Sequence, residues 1–173
     1  VIGLSLPYAI AQLLGVPADE NAERLATQYK AHYQEAAREG TFDSPLFPGI
    51  QALLDDLRSR DNILLAMATG KSRRGVRTIV AEQGWENLFI AARTADDCPS
   101  KPHPAMVLEC CAEAGIEPAE SIVVGDTTFD IEMARAAGAG AVGVSWGYHS
   151  EGLLSAAGAH HIVSSPLDIA KLV

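Results

Sequence analysis

The sequence has no apolar run approaching the ~20 residues that cross a bilayer, and no basic stretch leads an apolar core at residues 1–7. Both absences argue against a membrane span and a secretory leader, and the expectation is a cytoplasmic protein. Cysteine is scarce. Cys98 stands alone, Cys110 and Cys111 are adjacent, and no CxxC spacing offers a zinc or dithiol redox pair. Positive charge is also short, with 13 Lys+Arg against 22 Asp+Glu and a net charge of −9. Such a surface repels phosphate backbones and anionic headgroups, so neither nucleic acid nor a membrane is the expected partner. Small ligands and metal ions stay open.

What the chain does have is 48% hydrophobic residues over 173 positions, enough to bury a core in one domain with a small appendage. The first 44 residues read as helix. Ser5 and Pro7 suit a helix start, Gly15 a stop, and a second helix over about 19–38 carries Ala22, Leu25, Ala26, Tyr29, Tyr33, Ala36 and Ala37 at helical spacing. Gly40 closes that helix, and Ser44-Pro45 with Phe47-Pro48-Gly49 reads as a linker. Beyond residue 50 the period changes. Apolar runs at 63–68, 88–92, 121–124, 141–146 and 161–163 alternate with helical segments at 50–60, 72–83, 102–114 and 129–137. Runs apolar at successive positions suit strands covered on both faces, which predicts an α/β fold with a doubly wound parallel sheet.

Open parallel sheets bind ligands beyond the carboxyl ends of their strands. That rule selects Thr69 after the run at 63–68, the loop 95–101 after the run at 88–92, and Asp126 after the run at 121–124. Two tempting motifs fail on context. Gly138-Ala139-Gly140-Ala141-Val142-Gly143 spells GxGxxG, but a helix precedes it and a strand follows, the reverse of a dinucleotide site. Gly70-Lys71-Ser72 looks like the end of a Walker loop, yet Leu65 stands where its first glycine belongs. A helix starting near Gly70 still offers N–H groups and a positive dipole end to a phosphate.

Asp126 ends a buried strand and Asp130 follows one turn later. Their hard oxygens suit Mg²⁺, which takes one or two carboxylates and completes its shell with water and substrate phosphate. The same residues also fit a plain helix cap and a first-turn acid favoured by the dipole. Lys101, ahead of Pro102-His103-Pro104, reads either as a cation for phosphate or crowded carboxylates, or as a solvated surface lysine. Thr69 reads as a phosphate-facing hydroxyl or as a cap at a βα turn.

Thr69 after an apolar strand, Lys101 before Pro102, and Gly125-Asp126 with Asp130 resemble motifs two, three and four of the haloacid dehalogenase-like hydrolases. The chain is particularly similar to their phosphoglycolate phosphatase-like branch. The resemblance implies a Rossmann-type core at 46–173 and part of a helical cap at 1–45. It assigns Thr69, Gly70, Lys71 and Lys101 to the phosphoryl group, Lys101 also to the charge of the nucleophile, and Asp126 to Mg²⁺. Asp130 would support the metal directly, through water or through a hydrogen bond. The implied reaction is hydrolysis of a phosphomonoester on a small metabolite through an aspartyl-phosphate. The family's first motif, Asp-x-Asp-x-Thr, which holds the nucleophile on the central strand, has no counterpart here. The expectation is a fragment lacking that strand and roughly 40–50 residues, judged from ordinary element lengths. Tyr8, Tyr29, Lys30, His32, Tyr33 and the loop 94–100 are substrate-facing candidates. His149, His160 and His161 lack partners at zinc-ligand spacing.

Overall fold

The computed structural model describes residues 2–38 and 45–173. Two helices come first, α1 (Leu6–Leu14) and α2 (Glu20–Arg38). Pro7 occupies the first turn of α1, where its missing N–H is not needed, and Gly15 ends the helix at φ 66°. Asp19 caps α2 by accepting the N–H groups of Asn21 and Ala22. Small side chains let the pair approach closely: Ala9, Ala11, Ala22 and Ala26 are buried where the helices meet. The expected stop at Gly40 and the Ser44 end of the linker lie outside the described residues.

The rest alternates helix and strand: α3 (Ile50–Arg58), β1 (Ala66–Ala68), α4 (Arg73–Gln83), β2 (Ala91–Arg93) and α5 (Ala105–Ala114). After a 3-10 turn at Pro118–Glu120 come β3 (Ile122–Gly125), α6 (Thr128–Ala137), β4 (Gly140–Val144), α7 (Glu151–Ala156), β5 (His161–Val163) and α8 (Pro166–Ile169). Every strand pair is parallel, as the alternation predicts.

β4 shows how this sequence builds a doubly covered sheet. Ala141 faces a core of Met106, Val107, Ile131, Met133, Ala134 and Leu154 from α5, α6 and α7. Val142 and Val144 face the other way, onto Leu53 and Leu57 of α3 and Ile169 of α8. Successive side chains leave opposite faces of a strand, so a continuous apolar run is needed where both faces are covered.

The strands fall into two groups. β1 pairs with β2, and β3-β4-β5 form a second sheet, with β1 and β3 on either side of a groove of about 880 Å³. Ala66 and Ala68 line one flank and residues 122–125 the other. Among the described residues no strand lies between them. Exposed Leu64 and Val124 stand in this groove, an unusual position for apolar groups in a parallel sheet.

Several expected boundaries shift. Strand pairing begins at Ala66 rather than residue 63, although Leu65 already accepts the Ile90 N–H at 2.8 Å. The run at 88–92 is shortened because Leu88 folds into a turn, donating its N–H to Trp85. β4 stops at Val144, and α5 begins at Ala105, since residues 101–104 are spent on turns in which His103 donates to Ser100. The short helices α7 and α8 were not anticipated from periodicity; one or two turns are too few to display it.

Candidate active site

Strand ends and the loops after them bring the predicted rim together. The key element is Lys101, whose side chain is buried. Its ammonium donates to the Ala68 carbonyl at 3.0 Å and to Asp130 Oδ1 at 2.6 Å. The solvated-lysine reading is therefore excluded: a cation this deep must be paired and hydrogen-bonded. One end of this strut belongs to the end of β1 and the other to the first turn of α6, so Lys101 ties the two halves of the sheet together across the mouth of the groove.

Asp130 is committed on both oxygens. Besides Lys101 on Oδ1, its Oδ2 accepts the Thr127 N–H at 3.1 Å and the Thr127 hydroxyl at 2.7 Å. This is the reciprocal arrangement of a helix start, with Thr127 as the N-cap of α6. The first-turn reading of Asp130 is thus correct, and the acid serves the lysine as well. Gly125 makes the close approach possible, since a Cβ there would stand 2.2 Å from the Asp130 Cβ.

Asp126 differs from Asp130. It is half-buried, is not the cap of α6, and lines the groove. The Tyr148 N–H donates to its Oδ2 at 3.2 Å, and among the described residues Oδ1 carries no hydrogen bond. This oxygen is available to a hard cation. No group of three or more His, Cys, Asp or Glu gathers at metal-binding distance among the described residues.

On the β1 side, the cap of α4 is Ser72, which accepts the Gly75 N–H, so Thr69 is not the cap. The Thr69 hydroxyl oxygen accepts the Lys71 N–H at 3.2 Å, leaving the Gly70 N–H without a partner among the described residues. The Lys71 side chain is exposed. The loop that follows β2 is pinned by Asp97, whose Oδ2 accepts the N–H and hydroxyl of Thr94 while Oδ1 accepts from the Arg73 guanidinium. The Arg73 bond, then those from Thr94, hold the Asp97 carboxyl down at about 2. Below the rim, burial pushes the Cys98 and Cys110 thiols up to about 11, which makes them inert core groups at neutral pH.

The helical pair reaches this rim through residues 3–5. A Cβ on Gly70 would meet the Leu4 carbonyl oxygen at 2.8 Å, and the Ser5 N–H donates to the Ser100 hydroxyl oxygen at 2.9 Å. Of the substrate-facing candidates, Lys30 lies 4.0 Å from Asp96 in the rim loop. Tyr29 and Tyr33 stack on one another. His160 is a structural residue, its Nδ1 accepting the Ala141 N–H. His149, set aside in the sequence as a zinc ligand, instead bonds directly to the start of α6 from the loop after β4, a role its sequence context does not signal.

The haloacid dehalogenase-like hydrolase model matches residues 1–144. The chain is 34% identical over 166 residues to the probable phosphatase IndB of Dickeya dadantii, covering 95% of this chain and 71% of that protein. It is 30% identical over 150 residues to the phosphoglycolate phosphatase of Haemophilus influenzae, covering 86% of this chain and 65% of that protein. The chain thus spans less than two thirds of the latter's length. A crystal structure of a hydrolase from Pseudomonas syringae superposes with a TM-score of 0.82 at 26% identity, over 98% of this chain and 78% of that one. The chain belongs to the haloacid dehalogenase-like hydrolases.

Proposed function

We propose that this chain belongs to a Mg²⁺-dependent phosphomonoesterase acting on a small phosphorylated metabolite such as phosphoglycolate. The observation that carries the reading is the buried Lys101 strut beside the half-exposed Asp126, both at the carboxyl ends of parallel strands. A phosphoryl group at this mouth would meet the Thr69 hydroxyl and the Gly70 N–H from one side and the Lys101 ammonium from below. Positioning and charge neutralisation of this kind supply most of the acceleration in phosphoryl transfer.

The donor set fits Mg²⁺ with one protein carboxylate. Asp126 would hold it through the oxygen that carries no hydrogen bond, while Asp130 would act indirectly, by fixing Lys101 and Thr127. When bound, the cation neutralises charge on the phosphoryl oxygens. The attacking carboxylate of an aspartyl-phosphate route would enter on a further strand lying in the groove between β1 and β3. Leu64 and Val124 would then gain apolar cover, and both strand edges a partner.

The test is hydrolysis of p-nitrophenyl phosphate by the full-length protein. Turnover should require Mg²⁺, stop on chelation, and fall at least a hundredfold in Asp126→Ala and in Lys101→Ala. Undiminished turnover in both variants would overturn the assignment. The 173-residue chain alone is expected to give no turnover, and activity in a pure sample would show that its own residues supply the attacking group.

A further inference from the structure

We propose that His149 is a positioning residue that holds Asp126 in place for a divalent cation. The proposal rests on the reading of Asp126 as the cation's ligand. His149 grips the three-residue segment 126–128 at both ends. Its backbone N–H donates to the Asp126 carbonyl at 3.0 Å, and its ring Nδ1 accepts the Thr128 N–H at 3.0 Å. The second bond satisfies one of the N–H groups that every helix start leaves without an internal partner. The neighbours of His149 complete the clamp through main chain alone. The Tyr148 N–H reaches Asp126 Oδ2 at 3.2 Å, and a Cβ on Gly147 would stand 2.1 Å from the Asp126 Cβ.

The imidazole is thus the one side chain of residues 146–149 with a hydrogen bond in this clamp. Its ring is fixed by Phe129, with centroids 6.0 Å apart and planes at 56°. Thr127, between the gripped residues, is fully buried and bonded to Asp130. The backbone on which Asp126 stands is therefore held from two directions, by Asp130 within α6 and by His149 from the loop after β4. Partners that orient a ligating carboxylate typically alter metal affinity by about 10–100-fold when removed.

The experiment uses the full chain with Mn²⁺ as the probe, its free concentration read by electron paramagnetic resonance, and the Thr128 amide exchange rate read by NMR. His149→Phe keeps a ring against Phe129 but removes the acceptor, whereas His149→Asn carries a side-chain oxygen close to the Nδ1 position. The expected result is about tenfold weaker Mn²⁺ binding and faster Thr128 exchange in His149→Phe and His149→Ala, with both restored to near the wild-type values in His149→Asn. Wild-type affinity in His149→Phe, or unchanged Thr128 exchange, would overturn the positioning role alone. Absence of Mn²⁺ uptake by the wild-type chain, or undiminished uptake in Asp126→Asn, would instead overturn the reading of Asp126, and with it the affinity half of this proposal. His149→Ala and His149→Phe must agree, so a folding defect peculiar to the smaller side chain cannot imitate the result.

Discussion

The two flanks of the groove are built to different standards. On the β3-β4-β5 side, both sheet faces are covered, and Ile131, Met133, Ala141 and Leu154 are fully buried. On the β1-β2 side, two three-residue strands pair, among the described residues, only with each other, and Leu64 and Ile90 remain exposed. A parallel strand is stabilised by partners at both edges and cover on both faces, and the β1-β2 pair has fewer of each. What joins the flanks at the rim is polar: Lys101 bonds to Ala68 on one side and Asp130 on the other. The charge that would serve a phosphate thus also braces the sheet where apolar packing is thinnest.

The sharpest way to break this asymmetry is Lys101→Ala. It leaves a buried carboxylate unpaired, and removing one partner of a buried pair costs about 3–5 kcal/mol. Chemical denaturation should show that loss, and amide exchange should rise at Ala68 and Thr69 as well as in α6. Next in size, Leu154→Ala removes a fully buried side chain and should cost about 3 kcal/mol. Leu64→Ala, on the exposed flank, should stay within about 0.5 kcal/mol. Equal losses in the two would show that the flanks do not differ in packing. As small in stability, Asp126→Asn leaves both partners of the strut in place and should change the melting temperature by no more than about 1–2 °C while abolishing Mn²⁺ uptake.

Much of this fold was legible because its signals are local and repeated. The apolar runs at β3 and β4, the glycine stops of α1 and α6 and the proline start of α1 each express one physical requirement. The rim followed from topology: strands that run parallel deliver Thr69 and Asp126 to one end. Burial was harder to read. Nothing in Ser100-Lys101-Pro102 reveals that the ammonium turns inward, because its two acceptors come from residues 33 positions before and 29 after it. The same holds for Gly125, whose need for hydrogen in place of a side chain appears only when Asp130 folds back on it. His149 was invisible as an anchor because a histidine accepting from a backbone N–H leaves no spacing pattern.

The smallest expected effect lies in the loop after β2 and concerns acid. The Asp97 carboxyl is held down at about 2 by its bond from Arg73 and then by those from Thr94, against an ordinary value of 3.8. The folded chain therefore favours the ionised form. This contribution is complete above about pH 4 and disappears as pH falls toward 2, because the folded state then takes up the proton it had resisted. Arg73 is more than half exposed at its side chain, so solvent screens the pair and the effect should stay small. Comparing Asp97→Asn with wild type by thermal melting should give the widest gap at pH 5 and almost none near pH 2. A gap that is constant with pH would mean that Asp97 acts by shape alone. A gap that widens in acid would reverse the sign and remove the ion pair from the account of how the weaker flank holds its loop. Because Lys101 lies four residues after Asp97 in the same loop, amide exchange at Thr94 and Ser100 should rise over the same acid range, while exchange in β4, covered on both faces, should not.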